Sequence, residues 1–191
     1  MSGSIRWYSV KPIIPKPQLL LLKVGKILEC RKHEDADLLY VSRVETGDVL
    51  ESKILQVCSG LVNYVPISQM QGREVVVLTN LKAAKMRGIK SEAMLLAAER
   101  PKDEGAKFEV ELVSPPLDSK IGDVLQFVPF TTEGPSKTLK KLIWQQLQPQ
   151  LKTNSKGEVV YVEEDGTQRV LKSKDDGEGA FVKSLFNATV R

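Results

Sequence analysis

The run Glu74-Val75-Val76-Val77-Leu78-Thr79 passes directly into Asn80-Leu81-Lys82-Ala83-Ala84-Lys85-Met86-Arg87-Gly88-Ile89-Lys90-Ser91-Glu92-Ala93-Met94. Its β-branched opening predicts a strand. The continuation places four cations in nine residues, 82 to 90, without a carboxylate among them. Together they predict a basic loop carried on a rigid sheet, a form that suits a polyanion. Positive charge, a thioether and small residues fit a folded RNA backbone and its exposed bases. On charge alone, a solvated basic loop is an equal reading.

Working outward, residues 19–30 predict a long first strand and residues 38–45 a second, with an Asp-rich turn between them. Residues 53–58 alternate apolar and polar, and Ser59-Gly60 ends them; 66–71 predict one helical turn. Further strands are expected at 74–79, 91–98, 108–113 and 124–130. Many short strands with few helices predict a mainly β fold, a small barrel or sandwich. Residues 1–18 carry Pro12, Pro15 and Pro17 and read as an extended linker. After Pro129, a polar segment at 131–136 precedes a helix at 137–148. Its expected core stripe is Leu139, Leu142, Ile143 and Leu147, at offsets of three, four and eight. Trp144 projects to the other side, where it covers a neighbour or stays partly exposed. Residues 159–163 and 168–172 alternate around Asp165-Gly166, a hairpin signal, and 181–190 stand as a last strand.

With 41% hydrophobic residues the 191-residue chain can bury a core as one large domain or two small ones. Against 28 Lys and Arg stand 24 Asp and Glu, so the net charge of +4 is modest and its placement matters more than its sum. Cys30 and Cys58 lack metal-ligand spacing and are too few for a disulfide scaffold, so reduced, buried thiols in an intracellular protein are expected. No apolar run reaches the roughly 18 to 20 residues of a membrane span, and residues at the start lack a secretory core, so a cytoplasmic protein with no membrane partner is expected. His33, Asp35 and Asp37 bring an imidazole and two carboxylates together, but no second histidine or cysteine stands at ligand spacing, and Asp here suits backbone bonds in a turn. No phosphate loop, nucleophile elbow or zinc signature occurs. No catalytic residue, metal site or cofactor is expected.

The basic stretch resembles the signature Asn-Leu-Lys-Pro-x-Lys-Met-Arg-Gly-x-x-Ser-x-Gly/Ala-Met of the tRNA-binding domain family. That family includes endothelial-monocyte-activating polypeptide II, the C-terminal extension of human-type tyrosyl-tRNA synthetase, and bacterial methionyl-tRNA synthetases. Lys23-Val24-Gly25-Lys26-Ile27 resembles the family's opening strand, His33-Glu34-Asp35-Ala36-Asp37-Leu38-Leu39-Tyr40-Val41 its Asp-bearing turn, and Ser59-Gly60-Leu61-Val62-Asn63 a third block, all in family order. The resemblance implies a five-stranded oligonucleotide-binding (OB) barrel over 19–128. Residues 129–191 resemble the small α+β C-terminal domain of the endothelial-monocyte-activating branch, with 142–149 similar to its Ile-Trp-Glu-Gln-Ile-Gln-Pro. In that branch the extra domain mimics a dimer interface, so the resemblance implies a monomer. The family's arginine four residues before Ser59 is Leu55 here, which puts that one contact in doubt. Glu34 and Ala83 replace common prolines, a change in loop stiffness.

Asn80 either ends a strand through a local backbone bond or, as the resemblance implies, contacts RNA. Lys82, Lys85 and Arg87 stand to neutralise phosphates, Arg87 with paired hydrogen bonds that lysine lacks. Ser91 offers a hydroxyl to sugar or phosphate. Met94 offers a polarizable surface to a base or packs in the core. The resemblance places Ser59 on the nucleic-acid face, against the alternative of a turn hydroxyl, and Lys26, Arg31 and Lys32 extend the positive surface. The expected function is a non-catalytic module that binds tRNA by structure and hands it to an aminoacyl-tRNA synthetase, fused or separate. The alternative is a cytokine-like signalling or protein-interaction polypeptide, because 23–29 resembles a heptapeptide of the endothelial-monocyte-activating branch.

Overall fold

A computed structural model describes residues 15–47, 52–102, 108–131 and 138–191. The expected linker over 1–18, most of the segment at 131–136 and the start of the helix at 137 fall largely outside the described residues. Two long strands come first, β1 Leu22–His33 and β2 Ala36–Glu45, followed by β3 Ile54–Ser59, α1 Ile67–Met70 and β4 Glu74–Leu78. Then come β5 Ala84–Met86, β6 Ile89–Ser91, β7 Met94–Leu95, β8 Ala97–Pro101, β9 Phe108–Leu112 and β10 Val124–Phe127. The remainder is α2 Lys141–Leu147, β11 Leu151–Thr153, β12 Val159–Val162, β13 Gln168–Lys172 and β14 Thr189–Val190.

The protein is mainly β. Twelve strands share one antiparallel ladder in the order β3-β2-β1-β10-β13-β12-β11-β14-β8-β9, with β4 branching off β1 and β7 pairing β4. This ladder is open, so the expected five-stranded barrel does not close into a hydrogen-bonded ring. The ladder also crosses residue 128, since β10 pairs β13 and β8 pairs β14.

The sequence explains where the sheet divides the interior. In β4, Val75 and Val77 enter one core with Ile27, Tyr40, Val57, Val65 and Leu112, while Val76 and Leu78 enter another with Leu22, Leu125, Phe127, Leu147 and Tyr161. Strand side chains alternate faces, so an unbroken apolar run is what a strand buried on both sides requires. β1 serves both cores through a bulge between Ile27 and Glu29, which turns Leu28 outward at 42% exposure. Gly25 sits where β1 meets its neighbours most closely: a Cβ there would lie 2.8 Å from Val77 Cγ2 and 2.9 Å from Val44 Cγ1. Segment 23–29, whose likeness raised a signalling role, is thus a central strand with Val24 and Ile27 fully buried.

Three expectations change. The helix begins at Lys141, four residues late, and continues as a 3-10 turn over Gln148–Gln150. Leu139 therefore lies ahead of the helix, in a parallel bridge with Leu81, and the buried face rotates to Ile143, Trp144 and Leu147 while Leu142 is 71% exposed. The strand expected at 91–98 breaks into β6, β7 and β8, because the Ser91 hydroxyl donates to the Ala93 carbonyl and accepts from the Cys58 amide. The strand expected at 181–190 is only β14 plus bridges from Phe181 to Ser114 and Glu158. Here the chain instead wraps Glu111 of β9, whose carboxylate accepts from the amides of Lys183, Ser184 and Leu185 and from the Ser184 hydroxyl. Burial works against this carboxylate's charge, but the hydrogen bonds prevail and hold its pKa below the ordinary value.

Candidate nucleic-acid interface

The basic stretch is a two-stranded hairpin rather than a loop: β5 and β6 pair as Ala84 with Ser91, Lys85 with Lys90 and Met86 with Ile89. Its turn holds Arg87 at φ 48° and Gly88 at φ 86°. Two successive left-handed residues are the pattern of a tight hairpin turn, which glycine and asparagine adopt readily and arginine does not. Lys85 also stands directly across from Lys90, a like-charge pair that weakens a two-stranded ribbon. Two local choices thus oppose the local fold, which points to selection for something other than stability.

The hairpin is pinned from below. His33, 5% exposed, accepts the Asp35 amide on Nδ1 at 3.0 Å, which leaves Nε2–H to donate to the Met86 carbonyl at 3.2 Å. Gln56 of β3 donates to the Lys90 carbonyl at 2.8 Å, and its own carbonyl accepts from the Glu92 amide. Of the three residues His33, Asp35 and Asp37, His33 fixes the cationic hairpin to the sheet, and the Asp35 backbone amide orients its ring.

Lys82, Lys85 and Arg87 are exposed and make no ion pair with any carboxylate among the described residues. Lys90 pairs with Glu92 at 3.2 Å and Arg31 with Glu34 at 3.5 Å, both at the surface, where such pairs hold a charge weakly. Lys32 is exposed beside His33. Lys26 lies elsewhere along β1, in register with Glu45 on one side and Glu74 on the other.

Two of the sequence-derived residues point inward. Asn80 is 8% exposed; its Oδ1 accepts the Leu21 amide, its Nδ2 donates to the Leu19 carbonyl, and its own carbonyl accepts the Leu139 amide. It ties together the start of β1, the root of the hairpin and the approach to α2. Ser91 is equally buried and bridges β3 to the end of β6. Asn80→Ala would leave the Leu21 amide and Leu19 carbonyl without these partners, so a loss of about 2–4 kcal/mol in urea unfolding is expected. The folded variant should keep tRNA affinity within about threefold in an anisotropy titration, since the hairpin cations remain.

Ser59 and Met94 lie in a cavity of about 480 Å³ beside the hairpin. Its walls include Leu61, Tyr64, Met86, Ala93 and Phe108, with Lys82 and Arg191 also lining it. Tyr64 and Phe108 are 40% and 36% exposed, unusual for large aromatics. Nothing local in the sequence marks Phe108 or Arg191, because Phe108 opens β9, Arg191 follows β14, and the two meet only through tertiary pairing. Cys58 also lines the cavity; it and Cys30 are buried and unbridged, and burial pushes both thiols above their ordinary pKa.

A hairpin whose Lys85 and Arg87 lack carboxylate partners among the described residues, held on a rigid sheet beside an aromatic cavity, defines a nucleic-acid-binding β protein. Residues 22–124 match the family model described as "Putative tRNA binding domain", and the chain belongs to that family. It is 46% identical over 142 residues to aminoacyl tRNA synthase complex-interacting multifunctional protein 1 of Cricetulus griseus, covering 73% of this chain and 37% of that one. It is 38% identical over 183 residues to the tRNA-aminoacylation cofactor arc1 of Schizosaccharomyces pombe, covering 94% of this chain and 39% of that one. The chain thus spans less than two fifths of the length of either relative. The solved C-terminal domain of Plasmodium vivax p43 superimposes with a TM-score of 0.74 at 25% identity, covering 92% of this chain and 99% of that one.

Proposed function

We propose that this chain is a non-catalytic module that binds tRNA by shape and charge and holds it for an aminoacyl-tRNA synthetase, fused to it or as a separate subunit. The observation that carries this reading is the exposed trio Lys82, Lys85 and Arg87, free of carboxylate partners among the described residues and mounted on a pinned hairpin. Arg31, Lys32 and Lys90 extend that face, Ser59 and Met94 border it, and Asn80 and Ser91 act by positioning. Lys26, between two glutamates in register, is the weakest of the proposed contacts. We read residues 19–128 as an OB-type unit and 129–191 as a companion that stands in for a second subunit. The second core supports this, since Leu22 and Leu125 pack there with Leu147, Tyr161 and Val190. A monomer working in the cytoplasm fits this reading, and relatives include a cytoplasmic methionine–tRNA ligase of Caenorhabditis elegans.

Binding through about four phosphates should give a plot of log affinity against log salt with a slope of about −3. A filter-binding titration with mixed tRNAs checks this, and different tRNAs should bind with similar strength. A flat salt response would rule out the phosphate mechanism.

A further inference from the structure

We infer that the cavity between β3, the hairpin and β9 is a site for one unstacked nucleobase from a single-stranded stretch of the bound RNA. The inference deepens the tRNA-binding reading and rests on it. At about 480 Å³ the cavity falls within the roughly 300–1,000 Å³ of small-ligand sites. Tyr64 and Phe108 give it partly exposed aromatic faces, and Met86 and Met94 supply polarizable sulfur. Flat faces and thioethers favour a flat π-system, and stacking accepts any base because every base has a π-face.

One polar group of the cavity wall lacks a partner among the described residues. The Oγ of Ser59, a half-buried residue of the cavity wall, is closed to solvent and makes no hydrogen bond among the described residues. A hydroxyl left unsatisfied is unfavourable, and because this oxygen is closed to solvent a base edge satisfies it only once the serine side chain rotates toward the cavity. At the far side the Arg191 guanidinium lies 2.6 Å from Glu99 Oε2, so the carboxylate there is already neutralised. Charge at the mouth selects the occupant's class. Lys82 lines the cavity and Lys85 and Arg87 lie on the same hairpin, so a base entering it leaves its phosphates beside cations. An apolar peptide would gain the aromatic surface but leave those cations unmatched.

The test uses two fluorescein-labelled RNAs with the same number of phosphates and so the same total charge: a blunt duplex, and a shorter duplex that carries the remaining nucleotides as a single-stranded overhang. Native protein should bind the overhang RNA about tenfold more tightly by anisotropy, and Tyr64→Ala with Phe108→Ala should remove that margin while leaving blunt-duplex affinity unchanged. Because a double aromatic deletion risks the fold, Gly60→Phe provides a second route. Gly60 lines the cavity, a Cβ there meets no atom within 4 Å, and its φ is not left-handed, so a ring can be added at the cavity's edge without backbone strain. It should also abolish the margin alone. Equal affinity of native protein for both RNAs, with salt dependence intact, overturns the base pocket and leaves the tRNA reading standing. Failure to bind either RNA overturns both. Displacement of a labelled unstructured apolar peptide by Gly60→Phe, with the RNA margin unaffected, makes the cavity a peptide site and overturns the proposal.

Discussion

Replacing Lys85 and Arg87 together by glutamate lowers tRNA affinity by two or more orders of magnitude and leaves unfolding free energy within about 0.5 kcal/mol of the native protein. Each charge-assisted contact to phosphate is worth about 1.5–3 kcal/mol, and two such contacts correspond to two to four decades in Kd. Both side chains are exposed and make no ion pair among the described residues, so their replacement breaks no ion pair seen there. A glutamate at 85 would also face Lys90, replacing a like-charge pair with an attractive one. Arg87→Asn separates charge from conformation. Asparagine tolerates the left-handed turn that Arg87 adopts at φ 48°, so this variant should equal or exceed native stability while losing about tenfold in affinity. Anisotropy titrations beside urea melts of the same samples check both.

The largest stability effect is expected at Phe127→Ala, a loss of about 3–5 kcal/mol. Phe127 is 2% exposed, pairs with Leu171 across the ladder and lies 6.0 Å from the Tyr161 ring. Its cavity would open in the core that β10 shares with β12, β13 and α2, so the transition should fall by about 10 °C and remain single. Two separate calorimetric peaks would show instead that residues on either side of 128 fold independently.

The elements legible in the sequence were those whose signals are local. The strand at 74–79 and the hairpin around Asp165-Gly166 follow from β-branching and from a turn glycine at φ 85°. The alternation of Val75, Val76, Val77 and Leu78 between two cores was hidden, since an unbroken run does not say what lies on each face. Leu142 illustrates the limit of periodicity: its spacing suits a helix begun at 137, and a start at Lys141 turns it to solvent. Asn80 and Ser91 were picked out by motif, which marks where a residue is needed but not whether it touches a ligand or holds the backbone. His33 is the converse, passed over because no second ligand stands at metal spacing, yet its ring anchors the hairpin through the Met86 carbonyl. Tyr64 and Phe108 could not be brought together from sequence, because 44 positions of chain separate them and only the cavity joins them.

The central claim is that tRNA seats on the cationic hairpin. Backbone amide chemical shifts, mapped at low salt as tRNA is added to the protein, test it most directly. Shifts should concentrate in residues 81–94 and the neighbouring 31–33, and should reverse as salt is raised. Quiet amides throughout that hairpin, with the shifts gathered instead around the 163–169 turn, would contradict it.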